Sequence, residues 1–300
     1  MSEKYTFAIL GGDRRQSVIA QRLLLLGHVV RTFGTSNIDL GSSGVEVCFS
    51  VKKALEECDV IILPLPASRD GINLNMDSED VKEKVKLLEI ADLCLKEKCR
   101  CIIGGMLPES FIDYAKEKDV KVLDYYKEES LQRKNALPSA EGAIMLAMQN
   151  TDTVFEGMEV LICGYGRIGR IIALKAKKLG AKVNVAARRE EVLCDIAMSG
   201  YGALHIDSNS DMTAAVNFSD VIFNTVPSTV INKQILDHVK ATPLYIEIAS
   251  SPGGIDNVAA REKGIRVISA PSLPGRYAPI SAGEYIFETI IELLERSERV

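Results

Sequence analysis

The string Gly164-Tyr165-Gly166-Arg167-Ile168-Gly169 has the spacing G-x-G-x-x-G and follows the apolar run Val160-Leu161-Ile162-Cys163. A strand before the glycines and a helix after them give this otherwise weak motif its meaning as a dinucleotide-binding loop. Gly164 allows the tight turn, Gly166 lets the backbone approach a pyrophosphate, and Gly169 lets helix and strand pack closely. Phosphates would rest on the free N–H groups and positive dipole at the helix start.

The next apolar run, Val183-Asn184-Val185-Ala186-Ala187, ends in Arg188-Arg189, about 20 residues past the loop. An acid there would bind the ribose 2′-hydroxyl of NAD. A guanidinium matches a 2′-phosphate, so NADP is the expected cofactor, with NAD the alternative. One of the two arginines could equally be a solvated charge at a helix start. Thr225-Val226-Pro227 and Ala249-Ser250 follow two further strand-like runs. They are expected at the carboxyl edge of the sheet, where ligands of doubly wound folds bind.

The first half of the chain opens differently. Gly11-Gly12-Asp13-Arg14-Arg15-Gln16 has turn glycines but lacks the third glycine, and Asp13 would set a negative charge against a pyrophosphate. One nucleotide, not two, is therefore expected. Asp13, Arg14, Arg15 and Gln16 could hold a small carboxylate at a helix start. The alternative is an Asp N-cap followed by a solvated basic turn. A histidine base of the kind that hydroxyacid dehydrogenases use has no counterpart after the last strand. The three histidines, His28, His205 and His238, read as structural or solvated.

These residues need elements to hold them. Short apolar runs alternate with amphipathic stretches, the pattern of βαβ units and a parallel sheet. The pattern occurs twice. Cys58-Asp59-Val60-Ile61-Ile62 has its counterpart in Ser219-Asp220-Val221-Ile222-Phe223, each run beginning with an Asp and ending near a proline. The expected fold is α/β: two Rossmann-like doubly wound domains in a formate/glycerate dehydrogenase-like tandem with interdomain crossing helices. Residues 1–135 with 281–300 form the substrate or partner domain, and 136–280 the NAD(P)-binding domain. The joint is read at 134–142, with Ser139 as N-cap of a crossing helix over 143–148. The stretch 282–294 should return to the first domain.

A chain of 300 residues with 47% hydrophobic and 26% charged residues suits two ordinary globular domains. A net charge of −5 gives no reason to expect nucleic acid or an acidic membrane as partner. The start, Met1-Ser2-Glu3-Lys4-Tyr5, has no secretory pattern, and no apolar run is long enough for a membrane span. The seven cysteines form no paired C-x-x-C motifs, so no metal site is expected, and Cys163 reads as packed core.

Taken together, Gly11-Gly12-Asp13-Arg14-Arg15-Gln16, Asn135-Ala136-Leu137-Pro138-Ser139-Ala140-Glu141-Gly142, the Gly164 loop with Ala187-Arg188, and Ala270-Pro271-Ser272-Leu273-Pro274-Gly275 with Ala282-Gly283 resemble the A-subunit family of bacterial dipicolinate synthase. The resemblance covers nearly the whole chain. Arg189 departs from it, standing where a small polar residue is expected. The resemblance implies NADP-dependent conversion of the dihydrodipicolinate synthase product to dipicolinate. It implies a partner, the flavoprotein-like B subunit of dipicolinate synthase, and a location, the mother-cell cytosol of a sporulating bacterium. A dicarboxylate substrate fits Arg14 and Arg15 on one side of an interdomain cleft, with Asn135, Ser139, Ser272 and Arg276 on the other. Glu141 is the candidate proton acceptor, and Leu273 and Pro274 join the cofactor side. The residues also admit an NADP-dependent reductase of a small imino or keto acid, a non-catalytic nucleotide-binding subunit serving a flavin partner, or a regulatory NAD(H)-sensing module. Self-association stays open.

Overall fold

Each half of the chain builds one six-stranded parallel sheet. A computed structural model describes residues 4–35, 44–77 and 84–298. Met1-Ser2-Glu3 and Arg299-Val300, which the sequence pattern assigns to the first domain, lie outside the described residues. The chain divides into two compact units, residues 1–135 with 278–300, and residues 136–277.

The first sheet has β1 (Thr6–Leu10), β2 (Val29–Phe33), β3 (Glu46–Val47), β4 (Val60–Ile62), β5 (Cys101–Gly104) and β6 (Val122–Asp124), in the order β3-β2-β1-β4-β5-β6. The second has β7 (Glu159–Cys163), β8 (Lys182–Ala187), β9 (Gly202–His205), β10 (Val221–Asn224), β11 (Leu244–Glu247) and β12 (Val267–Ser269). Its order, read from β9, is β9-β8-β7-β10-β11-β12. Both are the 3-2-1-4-5-6 order of the Rossmann fold.

The strands are apolar throughout because both faces are covered. Alternate side chains feed separate cores: Phe7 and Ile9 on one face of β1, Ala8 and Leu10 on the other. In β7, Val160 and Ile162 face one core and Leu161 and Cys163 the other. The Asp before the fourth strand of each sheet has the same task. Asp59 Oδ2 accepts the Thr6 N–H at 2.8 Å, and Asp220 Oδ2 accepts the Glu159 N–H at 2.9 Å. Each carboxylate ties the start of the central strand to its neighbour.

Ser139 is not an N-cap. It is buried inside one continuous helix, Glu129–Asn150, which begins ten residues earlier than the expected cap and contains Pro138. Pro138 lacks the N–H that the helix would use, so the string Leu137-Pro138-Ser139 reads locally as a break. Burial overrides it. Leu131 packs in a core of the first unit, and Ala140, Ala143, Ile144 and Ala147 pack in a core of the second.

The final helix, Pro279–Glu298, lies with the first unit. Ile286, Ile290 and Leu294, spaced four apart, join Ile19, Ala20 and Leu23 of the helix Arg14–Leu25 in one core. Gly283 permits this approach: a Cβ there would stand 2.7 Å from Val18 Cβ and 2.9 Å from Arg15 O. Among the described residues, no helix is long and apolar enough to cross a membrane.

Candidate functional site

The carboxyl edge of the second sheet carries a pocket of about 250 Å³ lined by the Gly164 loop, the end of β8, Val192, Ile206 and Val226. The three glycines have different surroundings. Gly164 turns at φ +98°, a conformation that L side chains rarely adopt. A Cβ at Gly169 would be driven into the Gly164 carbonyl. A Cβ at Gly166 would meet nothing within 4 Å. Gly166 caps the helix Arg167–Lys178 without a side-chain hydrogen bond, and the first turn of that helix holds no acid. The turn therefore keeps an open ledge at a helix start where a pyrophosphate would lie, so the residues fit a dinucleotide.

The rest of the loop is held from below. Gly164 N–H donates to Ala186 O at 2.9 Å, and Thr225 Oγ1 donates to Cys163 O at 2.9 Å. Arg170, which sequence reasoning missed, stacks 4.3 Å from the centroid of the Tyr165 ring and donates through Nε to Tyr165 O at 3.1 Å. Its place one residue past Gly169 was the available signal. Ile168 packs inward against the core, while Arg167 is exposed.

Arg188 and Arg189 line the pocket beside Val192 and Ile206. Both are exposed: Arg188 Nε lies 3.2 Å from Asp207 and Arg189 Nη1 3.3 Å from Glu191. A 2′-phosphate would compete with these surface pairs, which are individually weak. Val192, Ile206 and Asp207 were also missed. They come from the helix Glu190–Met198 and the end of β9, which only the strand order brings beside β8.

The far half of the edge is an internal network. Buried Asn224 donates through Nδ2 to Val226 O at 2.9 Å and to Glu247 Oε1 at 2.7 Å. Glu247 also accepts N–H donors from Ala249 at 3.1 Å and Gly254 at 2.7 Å. These bonds shape the turns that carry Thr225, Val226, Pro227, Ala249 and Ser250. Pro227 and Ser250 are exposed there. Leu273 and Pro274 are different: both are buried in the short helix Leu273–Tyr277, and Leu273 belongs to the core. Both pack inside the second unit. Ser272 (φ +56°) and Arg276 beside them are exposed. Cys163 is fully buried, and burial pushes its thiol up to about 12, which makes it inert.

In the first unit the chain covers its own glycine turn. Gly12 N–H donates to Asn75 O at 2.8 Å, Gly12 bridges Met76, and a Cβ at Gly11 would meet Asn75 O at 2.5 Å. Residues 74–76 thus lie against the glycines where a nucleotide would need room. Asp13 is the N-cap of Arg14–Leu25, accepting the Arg15 N–H at 3.0 Å. Arg15 is buried. Its Nε and Nη2 grip Asp13 at 2.8 and 2.7 Å, and Nη2 also donates to Leu65 O. Burial by itself would lower the Arg15 pKa, but the hydrogen bond and charge of Asp13 outweigh it and hold it above its ordinary value. Arg15 is therefore an internal strut, its charge paired with Asp13 and its Nε and Nη2 engaged. Gln16 is buried too, whereas Arg14 is exposed.

Glu141 is half exposed and pairs with Lys175 at 2.8 Å. That pairing directs it at a lysine on the neighbouring helix. Asn135 and Ser139 are buried. Of the histidines, His28 packs against Phe7 at 5.2 Å, His205 accepts the Asp207 N–H through Nδ1 at 3.3 Å, and His238 ends the helix Lys233–Asp237. None follows β12. No three His, Cys, Asp or Glu side chains among the described residues are placed to hold a metal ion.

Residues 6–126 match the family model of the N-terminal domain of the dipicolinate synthase A subunit, and residues 139–272 match that of the S-adenosyl-L-homocysteine hydrolase NAD binding domain. The dipicolinate synthase A subunit of Bacillus subtilis (strain 168) is 30% identical over 290 residues, covering 96% of this chain and 95% of that protein. The crystal structure of the B. subtilis protein superposes with a TM-score of 0.83 at 28% identity, covering 100% of this chain and 98% of that one. The dipicolinate synthase A subunit of Bacillus halodurans superposes at 0.82 with 28% identity and 97% of each chain. An L-alanine dehydrogenase, 14% identical with a TM-score of 0.61 over 95% of this chain and 88% of that one, shares the fold alone. With its open dinucleotide ledge, its covered first turn and this similarity along nearly all its length, the chain belongs to the dipicolinate synthase A-subunit family.

Proposed function

We propose that this chain is the NADP-dependent dehydrogenase subunit of a dipicolinate synthase, oxidising the cyclic dicarboxylate made by dihydrodipicolinate synthase to dipicolinate in the cytosol of a sporulating mother cell. The observation that carries the reading is the ledge at Gly166, open to space beside Arg188 and Arg189, in a chain 30% identical to a dipicolinate synthase protein of B. subtilis. The Gly166 turn and the helix start receive the pyrophosphate, Arg188 with Arg189 the 2′-phosphate, and Thr225 to Pro227 with Ala249 and Ser250 the nicotinamide end. A bound oxidised nicotinamide supplies the two-electron acceptor that aromatisation of a dihydropyridine ring requires. Of the candidate substrate residues, Arg14, Ser272 and Arg276 are exposed. Aromatisation favours the oxidation, so the proton can leave to water and no strong base is needed. The B. subtilis relative is one lettered component of a synthase, which supports a second component; we take that partner to be the flavoprotein-like B subunit.

The test is to measure NADP and NAD binding to the purified chain, then nicotinamide reduction with the dihydrodipicolinate synthase product, with and without the B subunit. NADP is expected to bind more tightly and to be reduced in step with dipicolinate formation. Tighter NAD binding would overturn the cofactor choice. The pairing of Glu141 with Lys175 favours a second reading, a nucleotide-binding subunit that supports catalysis on its partner. That reading predicts dipicolinate formation without nicotinamide reduction. Unchanged turnover in Glu141→Gln would remove Glu141 from the proton path.

A further inference from the structure

Three of the seven cysteines meet at the amino edge of the first sheet. β4 and β5 pair in parallel with Val60 opposite Cys101, and the Arg100 N–H continues the ladder to Asp59 O at 2.7 Å. Cys58 and Cys99 lie two residues before Val60 and Cys101, at the amino ends of these paired strands, and pack on the same face. Cys94 reaches the same place by another route. It lies in the last turn of the helix Leu87–Glu97, which ends at Lys98 with φ +58°. The Cys99 N–H donates back to Cys94 O at 2.9 Å. This is a Schellman ending, in which the residue two past the helix packs its side chain on the residue three before the cap. Here those two positions are Cys99 and Cys94, where an apolar pair usually stands, and Cys94 Sγ lies 3.9 Å from Cys99 O.

The two strand starts and the helix ending therefore bring Cys99 beside Cys58 and Cys94. The three differ in access. Cys58 and Cys94 are buried, and Cys99 is partly exposed. They differ in charge as well. The neighbouring Cys58 and Cys94 thiols hold the Cys99 pKa below its ordinary value, while Cys99 and burial raise those of Cys58 and Cys94; in the structure the Cys58 thiol donates to Val60 O at 3.2 Å and that of Cys94 to Cys99 O at 3.9 Å. One reachable thiol beside two buried ones is the arrangement of an oxidisable cysteine with a resolving partner.

We infer that Cys99 is a peroxide-reactive thiol that closes a reversible disulfide with Cys94. The Cys99 thiolate attacks one oxygen of a peroxide, the O–O bond breaks, and Cys99 becomes a sulfenic acid as hydroxide leaves. The Cys94 sulfur then attacks the Cys99 sulfur, the S–O bond breaks and water leaves. One peroxide is reduced for each pair of thiols oxidised, and any small dithiol reverses the change by exchange. Cys94 is the assigned partner because the Schellman turn faces the two side chains toward each other. Cys58 precedes β4, and its thiol donates to Val60 O at 3.2 Å.

Cys194, exposed on the second unit, is an internal control for mere accessibility. The fully reduced chain is treated with stoichiometric hydrogen peroxide, alkylated, and digested with trypsin, which cuts after Lys96 and Lys98 and so separates Cys94 from Cys99. The expected result is loss of Cys99 alkylation at least tenfold faster than that of Cys194, with a dithiol-sensitive link joining the Cys94 and Cys99 peptides. In Cys94→Ser the sulfenic acid on Cys99 should persist and be trapped by dimedone, a readout that does not require the disulfide to form. Oxidation of Cys194 as fast as Cys99 would overturn the proposal, and so would a link from Cys99 to Cys58 in its place.

Discussion

Replacing Gly166 with alanine should separate the ligand site from the fold. A Cβ at this position meets nothing within 4 Å, and Gly166 sits at φ −83°, so the methyl adds no clash and no backbone strain. The change exchanges one N-cap residue for a poorer one, which costs about 0.5–1 kcal/mol and lowers Tm by a few degrees. The same methyl occupies the ledge that a pyrophosphate needs. Moving the phosphates outward loses one charge-assisted hydrogen bond at about 1.5–3 kcal/mol, a rise of roughly 10- to 100-fold in Kd. Calorimetric titration with NADP, beside thermal unfolding of the same sample, measures both effects. The contrast is Gly169→Ala, whose Cβ would be driven into the Gly164 carbonyl. That variant should lose several degrees of Tm before any ligand is added. If Gly166→Ala is folded and binds NADP within about threefold of the parent, the assignment of the ledge to the pyrophosphate is wrong.

Three further outcomes follow from particular residues. Arg188→Ala should weaken NADP binding about tenfold, the low end for an exposed charge-assisted bond, and leave NAD binding nearly unchanged; equal losses for both would remove Arg188 from the 2′-phosphate site. Arg15→Met strands the Asp13 carboxylate and the Leu65 carbonyl. With the two side chains only 6% and 19% exposed, it should cost about 3 kcal/mol in urea unfolding; under 1 kcal/mol would mean that the pair behaves as a surface pair. Burial lowers the His28 pKa below its ordinary value of about 6.5, and its Nδ1 accepts the Tyr5 N–H at 3.3 Å. The neutral ring's contribution is therefore complete above about pH 6.5 and is lost as pH falls below it, where the unfolded chain binds the proton more readily. In His28→Leu the acid limb of a Tm-against-pH curve should flatten; an unchanged limb would assign it to other groups.

The local string around Gly164 determined the dinucleotide turn, because a positive φ and a close backbone approach are demands on single residues. The apolar runs led by Asp59 and Asp220 determined two parallel sheets, because a strand buried on both faces must be apolar throughout. Other features were decided far from the residues that show them. Pro138 reads as a break and sits inside a helix, since the burial of Leu131 on one side and of Ala140, Ala143 and Ile144 on the other outweighs a missing hydrogen bond. Arg15 reads as an open cation and is closed by Leu65, 50 residues away in the chain. Gly11 and Gly12 read as a vacant turn, and residues 74–76 lie against them. Cys58, Cys94 and Cys99 are scattered in sequence and meet only through strand register and a helix ending. Backbone conformation is a property of neighbours along the chain. Whether a charge, a thiol or a turn remains available to a ligand depends on what the tertiary structure packs against it.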